Sequence, residues 1–355
     1  MKRAWMGCVG GLMLAAVVAT SAQNPGVTLI GTGFIPGTDL DFSGLAGEAI
    51  CQKDDISVCI DKATLGGLGS AVAYTGFDDV FVAVPDRGPF DGRTDVPYLD
   101  RFHLLKLTVN PNKPFPNINA KLLDTRFLSD ENGTAFVGDA YAFNTADPSK
   151  SRRFDPEGVT VGQRGTFFVS DEYGPYIREF DRFGTLIRKI AVPSKFLLDP
   201  INGHMSGDLD SGGNSLELLP SFNVTGRQAN RGMEGLTITP NGRLLVGIMQ
   251  NALLQDHGLD ATGSRVGKNN RILTVDLLTG ETHEYVYVME ATNQGRGVNE
   301  LLALNNHEFL VLERDNRTLE PTPPNAAQTP NFKSIYKIDL NTPNLTDVSG
   351  IASLP

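Results

Sequence analysis

The sequence predicts an all-β protein, a β-propeller of four-stranded antiparallel blades. Two observations predict it. Short β-branched or aromatic runs ("VFVAVPD", "GTFFVSD", "RLLVGIM", "RILTVDLL", "HEYVYVM", "EFLVLER", "SIYKIDL") recur between clusters of Gly, Pro, Asn and Asp, and no long amphipathic helix accompanies them. Four stretches also repeat one plan: "GGLGSAVAYTGFDDVFVAVPDRGP" from Gly66, "DPEGVTVGQRGTFFVSDEYGP" from Asp155, "GMEGLTITPNGRLLVGIMQNA" from Gly232 and "GVNELLALNNHEFLVLERDN" from Gly297. Each has a start marked by Gly or Glu, an apolar strand, a polar turn, a second apolar strand and a polar or charged cluster. Turns at 181–184 and 278–280 lead into further strands, so at least two units read as four-stranded meanders, the signature of a propeller. Six or seven blades are expected in a complete protein.

The chain opens with Lys2 and Arg3, then an uncharged apolar stretch from Gly7 to Ala19 and small residues at 20–22. This pattern predicts a secretory signal peptide over 1–22, with the propeller domain over 23–355. No later apolar run is long enough to cross a bilayer as a helix, so a secreted or periplasmic protein without a membrane span is expected. In an oxidising compartment Cys51 and Cys59, close together, are expected to form a disulfide. Asn132, Asn223, Asn316 and Asn344 each open an N-x-Ser/Thr sequon.

Net charge is -10, which argues against nucleic acid as a partner and is compatible with cation binding. The hairpins give that charge a place. In an antiparallel pair the first residue of one strand lies beside the last residue of the next. Glu157 should therefore adjoin Asp171 and Glu172, Glu234 should adjoin Gln250 and Asn251, and Glu300 should adjoin Glu313 and Arg314. In the first unit, residues 67–69 should adjoin Asp86 and Arg87. If the first strands line a channel, these ends meet at one mouth. Like charges brought together need a cation or protons, and hard oxygen ligands suit Ca²⁺. The alternative is that each Glu accepts hydrogen bonds from backbone N–H groups at a neighbouring strand start.

Other segments carry less. "DLDSGGNSLE", 208–217, has the acidic spacing of a calcium loop without its terminal Glu, and reads equally as a solvated insertion. The long stretch 199–230 has the length of a lid or binding loop. Residues 109–119 and 318–330 are Pro-rich and read as surface loops. The chain has no G-x-S-x-G elbow, no H-E-x-x-H and no P-loop motif, and its five histidines lack metal-ligand spacing.

Taken together, "FDPEGVTV…FFVSDEYGPYIREFD", "NRGMEGLTITPNGRLLVGIMQ", "NELLALNNHEFLVLERD" and "VPDRGP" resemble the phytase-like esterase family ("esterase-like activity of phytase"), from about Gly66 to Leu340. The resemblance implies a propeller-like fold, export, and hydrolysis of ester or phosphoester bonds. It carries over to Glu157 and Gly158, to Asp171, Glu172, Tyr173 and Gly174, to Glu234 and Gly235, to Glu313, Arg314 and Asp315, and to Asp86 and Arg87. The chain lacks a "DADDPAIW"-like segment, so phytate is not implied as substrate. Family members continue into a further Glu-Gly unit where this chain stops at "DVSGIASLP", which suggests a fragment or a propeller that closes differently.

The reading that follows is an exported, monomeric hydrolase acting on a small-molecule ester or phosphoester. Glu157, Asp171, Glu172, Glu234, Glu300 and Glu313 are the candidate catalytic residues. Glu157, Asp171 and Glu234 are the candidate Ca²⁺ ligands. Asp86, Arg87, Arg178, Gln250, Asn251 and Arg314 are the candidate substrate-binding residues. Two alternatives stay open: a Ca²⁺-dependent lactonase using Glu157, Glu234, Asn251 and Asp171, and a propeller that only binds.

Overall fold

The computed structural model describes residues 28–66, 68–140, 142, 150–197, 224–292, 296–315, 333–343 and 345–355. The expected signal peptide, the 208–217 loop, most of the 199–230 insertion, the Pro-rich stretch 318–330 and the sequons at Asn223, Asn316 and Asn344 lie outside them. The described chain is nearly all β, arranged as four propeller blades. The only helical pieces among the described residues are 3-10 turns. No described helix is long and apolar enough to cross a membrane.

A hairpin of β1 (Ala49–Gln52) and β2 (Asp55–Asp61) precedes the blades, and a disulfide joins Cys51 to Cys59, its register partner. The first blade is β3 (Leu68–Tyr74), β4 (Val80–Pro85), β5 (Arg101–Val109) and β6 (Ile118–Phe127). The second is β7 (Pro156–Val161), β8 (Phe167–Asp171), β9 (Ile177–Phe180) and β10 (Leu186–Ile190). The third is β11 (Met233–Ile238), β12 (Leu244–Met249), β13 (Asn269–Asp276) and β14 (Thr282–Val288). The fourth has three described strands, β15 (Gly297–Ala303), β16 (Glu308–Arg314) and β17 (Lys333–Asp339). Every blade is an antiparallel meander in chain order.

Alternation along each strand builds the core, because successive side chains face opposite sides of a blade. Phe167 joins a cluster between the first two blades with Val82, Phe102, Phe136, Phe154 and Phe180. Its neighbour Phe168 joins the layer between the second and third blades with Phe196, Met233 and Leu273. Leu245 belongs to that same layer, whereas Val246 faces the next one with Val298, Phe309 and Val311. Each interior is thus a sandwich between blades, as the apolar runs predict.

The first strands β3, β7, β11 and β15 pack against one another in that order. Two glycines let them approach: a Cβ at Gly158 would meet the Glu234 carbonyl at 2.5 Å, and one at Gly235 would meet Leu301 N at 2.6 Å. Each inner strand also carries a β-bulge near its start. The register slips between Leu68 and Ala71, Pro156 and Val159, Met233 and Gly235, and Val298 and Glu300. Bulges re-aim a side chain and increase local twist. The residues set free are Gly69 and Ser70, Glu157 and Gly158, Glu234, and Asn299, so the first residue past each slip is Gly69, Glu157, Glu234 or Asn299.

Candidate active site

Superposing the four registers gives two positions per blade at one end of the propeller. The bulge position holds Gly69, Glu157, Glu234 and Asn299. The position just past the second strand's bulge partner holds Asp86, Glu172, Gln250 and Arg314. Glu300 therefore falls one place further in than the hairpin count predicts. It pairs with Leu312, and Glu313 lies opposite Val298. The apparent Glu-Gly and Asn-Glu starts of the repeats are offset by one residue, and Asn299 stands where the second and third blades put their acid.

Two groups of carboxylates converge there. One oxygen each from Glu157, Glu172 and Glu234 lie within 4.8 Å of one another, as do one each from Asp86, Asp155 and Glu157. The groups share Glu157, so five carboxylates from two adjacent inner strands and their neighbours form one cluster. Burial raises Glu157 well above the usual carboxylate range, and the charges of Glu234, Asp86, Glu172 and Asp155 push the same way. Burial and then Glu172 raise Glu234; burial raises Glu172 and Asp155 against the pull of Arg87. Enclosure and Asp155 raise Asp86 to about 8, although its side chain keeps 42% of its surface open and solvent reaches it.

Arg87 is the cation threaded through the cluster. Its Nη1 donates to Asp155 Oδ2 and to Asn230 Oδ1, both at 2.6 Å, and lies 3.6 Å from Glu172 Oε2. Burial opposes its charge, but Asp155 and Asp86 override that and hold it firmly protonated. Glu234 is oriented by amides: Gln250 Nε2 donates to its Oε1 at 2.8 Å and Asn299 Nδ2 to the same oxygen at 3.0 Å. Arg314 Nη2 sits 3.9 Å from that oxygen and is 29% exposed. Asn251 Nδ2 donates to the Arg296 carbonyl at 3.0 Å.

Four buried acceptor oxygens here have no hydrogen-bond partner: Glu172 Oε1, Glu234 Oε2, Gln250 Oε1 and Asn251 Oδ1. Buried polar atoms are almost always satisfied, and an orphan acceptor costs about 1–3 kcal/mol. Excess carboxylates with free oxygens are the donor set of a hard, oxygen-preferring cation. Among the candidate residues, Glu157, Glu172 and Glu234 could hold such an ion.

The remaining candidates sit elsewhere. Asp171 is buried and fully engaged: Arg178 Nη1 donates to Oδ2 at 2.6 Å, and the N–H groups of Asp155 and Tyr173 donate to Oδ1, each at 3.1 Å. Arg178 stacks over Phe154, 4.3 Å from the ring centroid. That pair lies beneath the rim, and no oxygen of Asp171 joins either carboxylate group. Glu313 accepts from Tyr287 OH at 2.6 Å and from the Glu290 N–H, bracing the third blade against the fourth. Glu300 Oε1 accepts from its neighbour Leu301 N at 2.8 Å, and burial raises it to about 8. Glu300 thus does what the structural alternative expected of every Glu; at the rim only the aspartates do so, Arg87 N donating to Asp86 Oδ1 at 2.5 Å and to Asp155 Oδ1 at 3.2 Å. Asp155, Asn230, Arg231 and Asn299 are additions. All four stand inside or beside the quoted motifs, but only the bulge and the 227–232 turn bring them to the rim.

Known proteins resemble this chain to different extents. The chain is 31% identical over 331 residues to an uncharacterized secreted protein of Arthroderma benhamiae, covering 77% of this chain and 63% of that relative. Among solved structures, the GH74 enzyme of Niastella koreensis aligns over 63% of this chain and 35% of its own, with 11% identity and a TM-score of 0.24. A protein of unknown function from Dyadobacter fermentans aligns over 85% and 97%, with 10% identity and a TM-score of 0.24. Residues 63–355 match the family described as Phytase-like, esterase-like activity of phytase, and the chain belongs to that family.

Proposed function

We propose that the chain is an exported hydrolase of ester or phosphoester bonds that works with Ca²⁺ held by Glu157, Glu172 and Glu234. One observation carries this reading: three buried glutamates bring oxygens within 4.8 Å while Glu172 Oε1 and Glu234 Oε2 lack any partner. Family membership and a secreted relative support the reaction class and export. Glu172 takes the ligand role that the sequence suggested for Asp171, because Arg178 already neutralises Asp171.

When bound, the cation would supply Lewis acidity at the P=O or C=O oxygen and a more acidic water. The chain's own groups do the rest. Gln250 and Asn299 occupy Glu234 Oε1 and so leave Oε2 to face the centre. Arg87 fixes Asp155 and Asn230 and holds the wall of the mouth. Arg314, partly open, reaches anionic substrate oxygens by forked donation. Asp86, the most open of the five carboxyls, is placed to pass a proton between attacking water and departing alcohol.

The test is thermal unfolding of the protein in EDTA and after Ca²⁺ is returned. A ligand that binds only the native state adds about 2.7 kcal/mol at a hundredfold excess over Kd. The upward shift should vanish in Glu234→Gln, together with turnover of phosphomonoesters or carboxylic esters. Full activity in that variant would sink the reading. The unpartnered, buried amide oxygen of Asn251, next in the chain to Gln250, favours a second reading, lactone hydrolysis at the same ion. A substrate screen that includes lactones separates the two, and a protein indifferent to calcium and to every ester is left as a binding platform.

A further inference from the structure

The turn at 227–232 sits directly on the carboxylate rim. Asn230 takes a left-handed conformation (φ 52), and Gly232 packs so closely that a Cβ there would meet the Glu172 carbonyl at 2.3 Å. Between them stands Arg231, 7% exposed. Its Nη1 donates to the Asn230 carbonyl at 2.6 Å, its Nε has no partner, and no described carboxylate lies within ion-pair distance. Arg265 comes from a separate loop to the same turn. Its Nη2 donates to the Ala229 carbonyl at 3.3 Å, its buried Nε is also unpartnered, and it too has no carboxylate in ion-pair contact among the described residues.

Two guanidiniums thus gather with no carboxylate in ion-pair contact among the described residues: burial lowers Arg231, and the more distant Glu172, Glu234 and Glu157 only partly offset it. Backbone carbonyls satisfy a donor but do not neutralise a charge. Burial and the nearby Arg231 charge depress Arg265 to about 10, so the two groups oppose each other. A buried charge left unpaired is strongly unfavourable. The nearest negative field is that of Glu172 and Glu234, and a cation on those glutamates would cancel it. What fits between the arginines and the cation is an anion with several oxygens, since each guanidinium fork matches a pair of oxygens.

We propose that Arg231 and Arg265 form an oxyanion subsite that takes a phosphate group of the substrate. The inference rests on the hydrolase reading for its orientation and narrows it to phosphorylated substrates, because a lactone or neutral ester leaves both forks empty. It also moves the work of anion recognition away from Arg87, which Asp155 and Asn230 already occupy.

Calorimetric titration of inorganic phosphate into the full chain, in EDTA and again with Ca²⁺ present to neutralise Glu172 and Glu234, tests it, with acetate at equal ionic strength as the control. The wild type should bind phosphate and not acetate. Arg231→Gln and Arg265→Gln should each weaken binding about tenfold or more, with Arg231→Lys between. Thermal unfolding checks that each variant is folded, and the partly exposed Arg265 keeps the test valid if Arg231→Gln is not. Equal phosphate affinity in wild type and both Gln variants overturns the subsite, as does a wild type that binds no phosphate. If Arg231 only balances the glutamates, Arg231→Gln will tighten calcium binding and leave phosphate unchanged, which also overturns it. Phosphate binding lost in the variants of a protein that never responds to calcium would keep the subsite and remove the hydrolase reading.

Discussion

Two regions of this protein bury carboxylates, and they do so in opposite ways. On the outer side of the third blade, Arg271 Nε and Nη2 clasp Asp256 at 2.7 and 2.8 Å, and Nη1 reaches Glu284 at 2.7 Å. Lys195 pairs with the other Glu284 oxygen at 3.1 Å, and Leu354 N donates to Asp256 at 2.7 Å. Two acids meet two cations, and each carboxylate oxygen has a partner. At the rim five acids crowd together; Arg87 alone is threaded among them, Arg314 stands off at 3.9 Å and Arg231 makes no ion pair with a described carboxylate, and oxygens of Glu172 and Glu234 are left over. Burial is common to both regions, so burial does not mark a site. The mismatch between charge and counter-charge does.

The largest way to break the comparison is Arg271→Met, which strands Asp256 and Glu284. It should cost about 3–5 kcal/mol in urea unfolding, yet leave the calcium shift intact. A calcium response lost with it would mean that the two regions are not independent. Next comes the rim itself. Glu172→Gln should remove the calcium-dependent gain of about 2.7 kcal/mol at a hundredfold excess, while slightly stabilising the metal-free protein by relieving like charges. Its neighbour sharpens the contrast: Asp171→Asn should destabilise with or without calcium, because it breaks the Arg178 pair.

A smaller effect belongs to the β1–β2 hairpin, where the disulfide spans a separation of 8 residues. Cys51→Ser with Cys59→Ser should cost no more than about 2.5 kcal/mol by loop entropy and leave the rim unchanged. The smallest is a slope. Burial raises the folded-state pKa of Glu300 from 4.5 to about 8, so its contribution is full below about pH 4.5 and fades as pH rises through about 8. Glu300→Gln should flatten the fall in metal-free stability across that window by less than about 1.4 kcal/mol per pH unit. An unchanged slope would show that Glu300 titrates normally.

Much of this was legible in the residues. All seven quoted runs are strands, and the repeat plan gave the blades. Hairpin logic put Glu157 beside the end of β8 and Glu234 beside Gln250, as found. It failed by one residue at Glu300, because a bulge adds a residue that counting along a strand does not reveal. It also treated Asp171 and Glu172 alike. Strand alternation sends the first down to Arg178 and leaves the second at the rim, and no local pattern names that partner. Asn230, Arg231 and Arg265 were not picked out, since the turn before β11 carries the first two, the β12–β13 loop carries the third, and only the folded packing brings them together.

The bulges have a consequence for how such a protein changes over generations. Each blade contributes a letter at the rim, here Gly69, Glu157, Glu234 and Asn299; the last three stand outside the ladder pairing, while the left-handed backbone at Gly69 (φ 109) favours glycine there. A single substitution there rewrites the chemistry offered to solvent without disturbing a ladder. Relatives of this chain can therefore share every strand and still differ in what they act upon, and the short word spelled around the rim is where their trades should be read.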